Sequence, residues 1–282
     1  MTVAITVTLP DDLHELLIAE LADLGFDAFE REDGAVVAYG PAAVWTGVAR
    51  EAVEDWLRAR GLPEHVEERT MLAVNWNARW EATIRPIPVG PFVIAPTWAE
   101  VPEEHAGKTL LRIDPKMSFG TGYHESTRLA LRFLPGLVGR TPGGERVLDA
   151  GTGTGILAIA ALRLGAREAV GFDIDPWSAE NAAENAALNG VADRFEVREG
   201  GIEVVPEVGF DLAFANIHLE VLRGLVPLLA EKLAAGGRLV VAGLLTMQRE
   251  PMLEVVEAAG LVLYDEATEG EWWACVVEGR KA

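Results

Sequence analysis

Val147-Leu148-Asp149-Ala150-Gly151-Thr152-Gly153-Thr154-Gly155 carries an apolar strand into a bend built on three alternating glycines. The apolar residues that follow open a helix. Glycine lets the backbone turn tightly and approach a ligand with no Cβ in the way. The N–H groups at the start of such a helix are expected to face that ligand. Asp173 closes the next strand, 18 residues after Gly155. A carboxylate there can accept both hydroxyls of a ribose. Pro176 then begins the following helix and Asn189-Gly190 ends it, each in a favoured position.

Outward from this unit the pattern repeats. Short apolar strands are predicted at 146–150, 169–174, 195–198, 212–216 and 239–242, with helices at 156–164, 176–189, 219–234 and 247–259. Alternation of this kind means right-handed crossovers and a parallel sheet covered on both faces. The end differs. Strands at 261–264 and 272–277 are joined by the short Glu269-Gly270-Glu271, which predicts an antiparallel hairpin.

Two cofactor classes fit a glycine bend followed by a distant aspartate. A dinucleotide fingerprint places its glycines as G-x-G-x-x-G, but here Ile156 holds the slot of the third. Asp149 sits beside the glycines and would repel a diphosphate, whereas a sulfonium or an ammonium group tolerates it. D-x-G-x-G-x-G with a later aspartate is the S-adenosylmethionine pattern of class I methyltransferases. A nicotinamide enzyme and a cofactor-binding module without catalysis are the other readings.

The remaining sequence divides in two. Residues 1–70 read as strand, helix, hairpin, helix, strand. Residues 3–9 alternate as a strand, Asp11 or Asp12 caps a helix that stops at Gly25, and Glu32-Asp33-Gly34 turns a hairpin. A second helix is predicted from about 41 to 60 and a last strand at 66–72. This βαββαβ order predicts a small ferredoxin-like α+β domain. Residues 71–98 read as a connector, with a short helix carrying Trp76 and Trp80, then Pro86, Pro88, Pro91 and Pro96. Residues 99–282 form the large α/β domain.

The 282 residues carry 44 acids and 24 bases, a net charge of −20. Residues 1–70 hold 15 of the acids and five of the bases, so half the excess lies in a quarter of the chain. Such a surface repels phosphate backbones, which disfavours direct nucleic-acid binding, and attracts a basic protein partner. Solubility or adaptation to salt explains the acidity equally well. No apolar run approaches the roughly 18 residues of a membrane span. The start lacks the basic region of a secretory signal. The single cysteine, Cys275, and five scattered histidines give no metal-ligand spacing. A cytoplasmic protein without membrane or metal is expected.

One further stretch is more specific. Phe119-Gly120-Thr121-Gly122-Tyr123-His124-Glu125-Ser126-Thr127-Arg128-Leu129-Ala130-Leu131 resembles the F-G-T-G-H-H-x-T-T-R-x-x-L signature of the ribosomal protein L eleven methyltransferase family (PrmA). Gly171-Phe172-Asp173-Ile174-Asp175-Pro176, Ala215-Asn216-Ile217, the Trp- and Pro-rich connector and Gly270-Glu271-Trp272 resemble that family's other blocks. The resemblance spans roughly residues 75–282. It implies a Rossmann-like class I methyltransferase fold that transfers methyl groups from S-adenosylmethionine to lysine or α-amino nitrogens of a basic ribosomal protein. The product cofactor would be S-adenosylhomocysteine, with no metal. Thr121, Gly151, Asp173 and Asn216 match the family's cofactor contacts, and Phe119 and Gly122 would line the same site. Asp149 and Gly153 join this set from the glycine bend. The first domain would recognise the protein substrate.

The departures bear on substrate details. Tyr123 replaces the first His of the signature, and Ser126 a Thr. Asn216-Ile217-His218-Leu219 stands where amide- and adenine-modifying enzymes carry Asn-Pro-Pro-Tyr. Glu199-Gly200-Gly201 lacks the usual adenine-binding aspartate, so backbone groups near Gly200 to Ile202 are expected to serve. His124 and Asn216 are the catalytic candidates, and His124 reads more readily as a structural residue, a hydrogen bonder at a helix start.

Overall fold

The computed structural model describes residues 2–71, 84–116 and 118–279. The short helix expected around Trp76 and Trp80 lies outside them. The chain forms two units, Met1–Ala82 and Thr83–Ala282.

The first unit has β1 (Thr2–Thr8), α1 (His14–Asp23), β2 (Ala28–Glu32), β3 (Ala35–Pro41), α2 (Gly47–Arg58) and β4 (Val66–Met71). The four strands pair antiparallel in the order β2-β3-β1-β4. Val3, Ile5 and Val7 of β1 alternate onto one face and meet Leu17 and Leu21 of α1 and Val53 and Leu57 of α2. The second helix begins later than its sequence suggests. β3 runs on to Pro41, and Thr46 supplies the cap by accepting from the Ala49 N–H at 3.2 Å.

The second unit is built on a seven-stranded sheet. Its strands are β8 (Arg146–Ala150), β9 (Glu168–Asp173), β10 (Phe195–Glu199), β11 (Phe210–Asn216), β12 (Leu233–Leu245), β13 (Leu261–Glu269) and β14 (Trp272–Gly279). Their order is β10-β9-β8-β11-β12-β14-β13. The first five run parallel, and β14 enters antiparallel between β12 and β13. The terminal hairpin expected from Glu269-Gly270-Glu271 is therefore present.

The helices are α3 (Glu125–Phe133), α4 (Ile156–Leu164), α5 (Pro176–Leu188), α6 (Leu219–Lys232) and α7 (Arg249–Ala258). Successive residues of a strand serve opposite faces, so Val147 packs with Leu129, Ile159 and Ala182 while Leu148 packs with Leu222, Leu229 and Met252. Both faces are covered, as a parallel sheet requires.

Two features differ from the sequence reading. Part of the proline-rich stretch is sheet: β5 (Ile87–Val89) and β6 (Phe92–Ala95) form a hairpin, joined by β7 (Thr109–Arg112). Val89, Phe92 and Ile94 are buried in the core of the second unit. Pro88 is tolerated because β5 is an edge strand. β12 also starts directly at the end of α6 and is three times longer than its central apolar run suggested.

Candidate active site

A cavity of about 550 Å³ opens at the carboxyl ends of β8, β9 and β11. Chain order reverses on either side of β8, which is where open α/β sheets bind ligands. That volume lies within the usual range for a small-molecule site.

The floor is the glycine bend. Gly151, Gly153 and Gly155 have φ of +63°, +54° and +80°, a region costly for other residues. A Cβ on Gly153 would stand 2.4 Å from the Phe119 carbonyl oxygen, so the bend also needs glycine for space. The N–H groups of residues 152–155, which precede α4, are all engaged within the protein. Thr152 N donates to Phe172 O (3.0 Å), Gly153 N to Asp173 Oδ2 (2.9 Å), Thr154 N to Phe119 O (2.9 Å) and Gly155 N to Thr152 O (2.8 Å). A diphosphate would find no donors among these four groups and would meet the Asp173 carboxylate at the wall. A cationic ligand suits this floor.

Asp149 is fully buried beneath the bend and does not line the cavity. Its Oδ2 accepts from the Thr152 hydroxyl (2.8 Å) and the Ala158 N–H (3.2 Å), so it ties the bend to α4. Burial pushes its carboxyl up to about 7, against the lowering effect of those two hydrogen bonds. Asp173 lies at the cavity wall. Oδ2 holds Gly153 and Oδ1 accepts from Asp175 N at 3.0 Å, which leaves one lone pair on each oxygen for a ligand. Asp175 caps α5 through Trp177 N and Ser178 Oγ.

Asn216, at the end of β11, lines the cavity. Its Nδ2 donates to Thr127 Oγ1 at 3.2 Å, and its buried Oδ1 has no partner. An orphaned buried acceptor costs roughly 1–3 kcal/mol unless a ligand donor meets it. Thr127, fully buried on α3, is a site residue the sequence reading missed. Thr121, which it singled out, is not among the cavity-lining residues; its hydroxyl accepts from Tyr123 N at 3.3 Å. Gly122 is likewise not at the cavity wall. It has φ +82° and packs so closely on Ile94 that a Cβ would stand 2.5 Å from Ile94 Cδ1.

His124 is the hydrogen bonder at a helix start that the sequence suggested, and it stands at the cavity. Its Nδ1 accepts from the Ser126 N–H at 3.2 Å, capping α3, while the ring lines the cavity. Accepting at Nδ1 puts the neutral ring's proton on Nε2. The ring meets Trp272 edge-on (centroids 4.2 Å) and Phe119 at 5.3 Å, so three aromatic rings form one wall. Trp273, one residue on, faces the core. Tyr123 instead clamps the backbone of Arg85 through its hydroxyl. The backbone at Gly201, expected as a ligand partner, has its N–H bonded to Glu203 Oε1 at 2.8 Å; the neighbouring Ile202 lines the cavity.

A buried asparagine ladder on α5 and its carboxyl end also went unread. Asn181 donates to Pro115 O (2.9 Å), Asn185 accepts from Asp114 N (2.9 Å) and donates to Thr154 O (3.0 Å), and Asn189 exchanges two bonds with Arg112 backbone. The ladder locks residues 112–115, which lead into the Phe119 loop, to the glycine bend. The i, i+4, i+8 spacing of three asparagines was the available signal.

Among the described residues no group of three or more His, Cys, Asp or Glu side chains gathers as a metal site, and no helix is long and apolar enough to cross a membrane.

The family model described as "Ribosomal protein L11 methyltransferase (PrmA)" matches residues 29–280. A ribosomal protein L11 methyltransferase of Chlorobaculum parvum is 34% identical over 272 residues, covering 95% of this chain and 93% of that one. One from Thermus thermophilus is 37% identical over 266 residues, 91% of each chain. A crystal structure of a ribosomal protein L11 methylase from Lactobacillus delbrueckii subsp. bulgaricus superposes with a TM-score of 0.64 at 28% identity, covering 70% of this chain and all of that one.

Proposed function

This chain belongs to the ribosomal protein L11 methyltransferase (PrmA) family, and we propose that its cavity brings S-adenosylmethionine together with lysine or α-amino nitrogens of ribosomal protein L11. The chain is a protein methyltransferase with the S-adenosylmethionine-dependent fold. The observation that carries the finer reading is the unpartnered Oδ1 of Asn216, an acceptor at the cavity that fits a positively charged or amine-bearing ligand. When bound, the cofactor supplies an electrophilic methyl group on a sulfonium.

Each residue then has a task. Asp173 accepts the ribose hydroxyls with its remaining lone pairs, and Gly151 and Gly153 let the ligand close on the backbone. Ile174 and Ile202 supply apolar surface beside Asp173. Asn216 Oδ1 orients an amine hydrogen, held in that sense by Thr127. Thr121, Gly122 and Asp149 support the walls rather than touch the ligand. Phe119, His124 and Trp272 exclude water from the aromatic side, where the acceptor chain enters.

The amine must attack while neutral. Lysine has a free pKa near 10.4, so this costs about 4–5 kcal/mol at pH 7. An apolar wall beside a cation lowers that cost. Alignment in the cavity contributes roughly 7–11 kcal/mol. No side chain is required as general base, and no metal enters the scheme.

The acidic first unit is the docking module for the basic substrate protein, and the enzyme works in the cytoplasm without membrane or direct nucleic-acid contact. The test is transfer of radiolabelled methyl groups to purified ribosomal proteins, with mass spectrometry to locate them. Label on L11 amines supports the reading. Label on another protein or on a small molecule removes it, and cofactor binding without turnover would favour an assembly factor instead.

A further inference from the structure

The charged side chains that tie α3 to the terminal hairpin lie outside the cavity wall, yet they bracket its aromatic side. Arg128 is 141 residues from Glu269 in sequence and is four-fifths buried, with 20% of its side chain exposed. Its Nε donates to Glu269 Oε1 at 2.8 Å, and its second terminal nitrogen stands 2.6 Å from the same oxygen and 3.0 Å from Glu125 Oε1. Its first terminal nitrogen donates to the Tyr123 carbonyl. Arg132, one turn along α3, places a nitrogen 2.8 Å from Glu269 Oε2.

Apart from the bond to Glu125 within α3, these contacts end at two points. Tyr123 O is the backbone immediately before His124, the cap of α3. Glu269 is the last residue of β13, three residues before Trp272 opens β14. His124 and Trp272 are the two rings that meet edge-on at 4.2 Å on the cavity wall. Arg128 and Glu269 are not among the residues that line the cavity. The brace thus grips the Tyr123 backbone on one side of the ring contact and the Glu269 side chain on the other, and neither Arg128 nor Glu269 lines the cavity.

We propose that Arg128 and Glu269 are positioning residues for the acceptor side of the reaction. They hold His124 and Trp272 in register, so that the aromatic wall admits and aligns the incoming amine-bearing chain. The inference rests on the methyltransferase reading above. Replacing a partly buried ion pair often changes stability little, because desolvation offsets attraction, while a planar bidentate guanidinium fixes geometry that lysine does not reproduce. The cofactor's contacts at Asp173 and the glycine bend have no bond to this brace. Its loss should therefore act on the acceptor and spare the cofactor.

The experiment uses the full-length enzyme with Arg128→Lys, Glu269→Gln and the charge-swapped pair Arg128→Glu with Glu269→Arg. Three quantities are read: S-adenosylmethionine affinity by calorimetry, KM and kcat for purified L11, and the proton shift of the His124 imidazole, which the Trp272 ring current displaces. Each single variant is expected to leave cofactor affinity within about twofold, lower kcat/KM for L11 roughly ten- to a hundredfold through misplacement of the wall, and move the His124 signal toward its free-histidine position. Partial recovery in the swapped pair strengthens the assignment. An unmoved His124 signal, or equal losses of cofactor and acceptor affinity, overturns it. Should Arg128→Lys fail to fold, Glu269→Gln decides alone. If the wild-type enzyme transfers no methyl group to L11, the functional reading fails, while the imidazole shift still reports whether the brace sets the wall.

Discussion

The side-chain amide of Asn216 donates to the hydroxyl of Thr127 across 3.2 Å, from the end of β11 to the face of α3. This one bond decides which end of the amide is left over. Because the nitrogen is spent on Thr127, the oxygen is the group without a partner, in a residue that lines the cavity. That buried oxygen is an acceptor left unsatisfied within the protein.

Removing the Thr127 hydroxyl should release that orientation. Thr127→Val keeps the shape of a fully buried side chain and leaves the Asn216 nitrogen unsatisfied, at roughly 1–3 kcal/mol. The expected outcome is a drop in kcat of about tenfold or more, with Thr127→Ser restoring most of it. Steady-state methyl transfer for the three proteins checks this; equal rates in the Val and Ser variants would show that the hydroxyl has no part.

Asp173→Ala should weaken cofactor binding. The substitution removes the ribose acceptor and also the partner of Gly153 N. Hydrogen bonds to a charged group are worth roughly 1.5–3 kcal/mol each, so affinity should fall at least tenfold by calorimetry. Unchanged affinity would place the cofactor elsewhere.

Gly153→Ala should be damaging twice over. The residue has φ +54°, and the added Cβ would meet Phe119 O at 2.4 Å. The strain is about 1–3 kcal/mol, and the bond from Thr154 N to Phe119 O should open with it. Urea unfolding is expected to show the stability loss, and titration a weaker cofactor complex.

Asp149 makes stability depend on pH. Burial raises its carboxyl to about 7 in the folded protein, from 3.8 in an exposed chain. Between those values the folded state holds a proton that the unfolded state has released. The contribution is fully present below about pH 4 and is lost as pH rises through about 7, at no more than about 1.4 kcal/mol per pH unit. Asp149→Asn keeps an acceptor for Thr152 and Ala158 and cannot ionise. Its unfolding free energy should fall less steeply between pH 4 and 7 than that of the wild type, and a parallel pair of curves would refute the assignment.

The two units have separate cores. A chain beginning at Thr83 should fold, bind S-adenosylmethionine with near wild-type affinity, and fail to methylate L11. Full activity without the first unit would remove its docking role.

Much of this protein was legible in its residues. The period-two strands, the helices between them, Asp175-Pro176 at a helix start and Asn189-Gly190 at its end are local signals and most of the elements they mark are present, but α2 starts later, β12 is longer, and the sheet of β5 to β7 was not read. The parallel pairing of the first five strands followed too, because strands alternating with helices are joined by crossovers. The glycine bend and Asp173 marked the cleft because φ and spacing are properties of short segments. Less was legible where a side chain's role depends on what folds against it. Thr121 and Thr127 share one signature, and only the packing of α3 on the end of β11 turns Thr127 toward Asn216. Asp149 was readable as a ligand contact or as a support of the glycine bend, and only the fold brings its oxygen to Thr152 and α4. That the bend's own N–H groups are taken by Asp173 and the Phe119 carbonyl was not legible, because those partners come from distant segments. Sequence determined the elements and the cleft, since those follow from local backbone preference and apolar periodicity. Which polar atoms remain available inside the cleft was settled only in three dimensions, because a hydrogen-bonding group is spent on whichever partner the fold brings nearest.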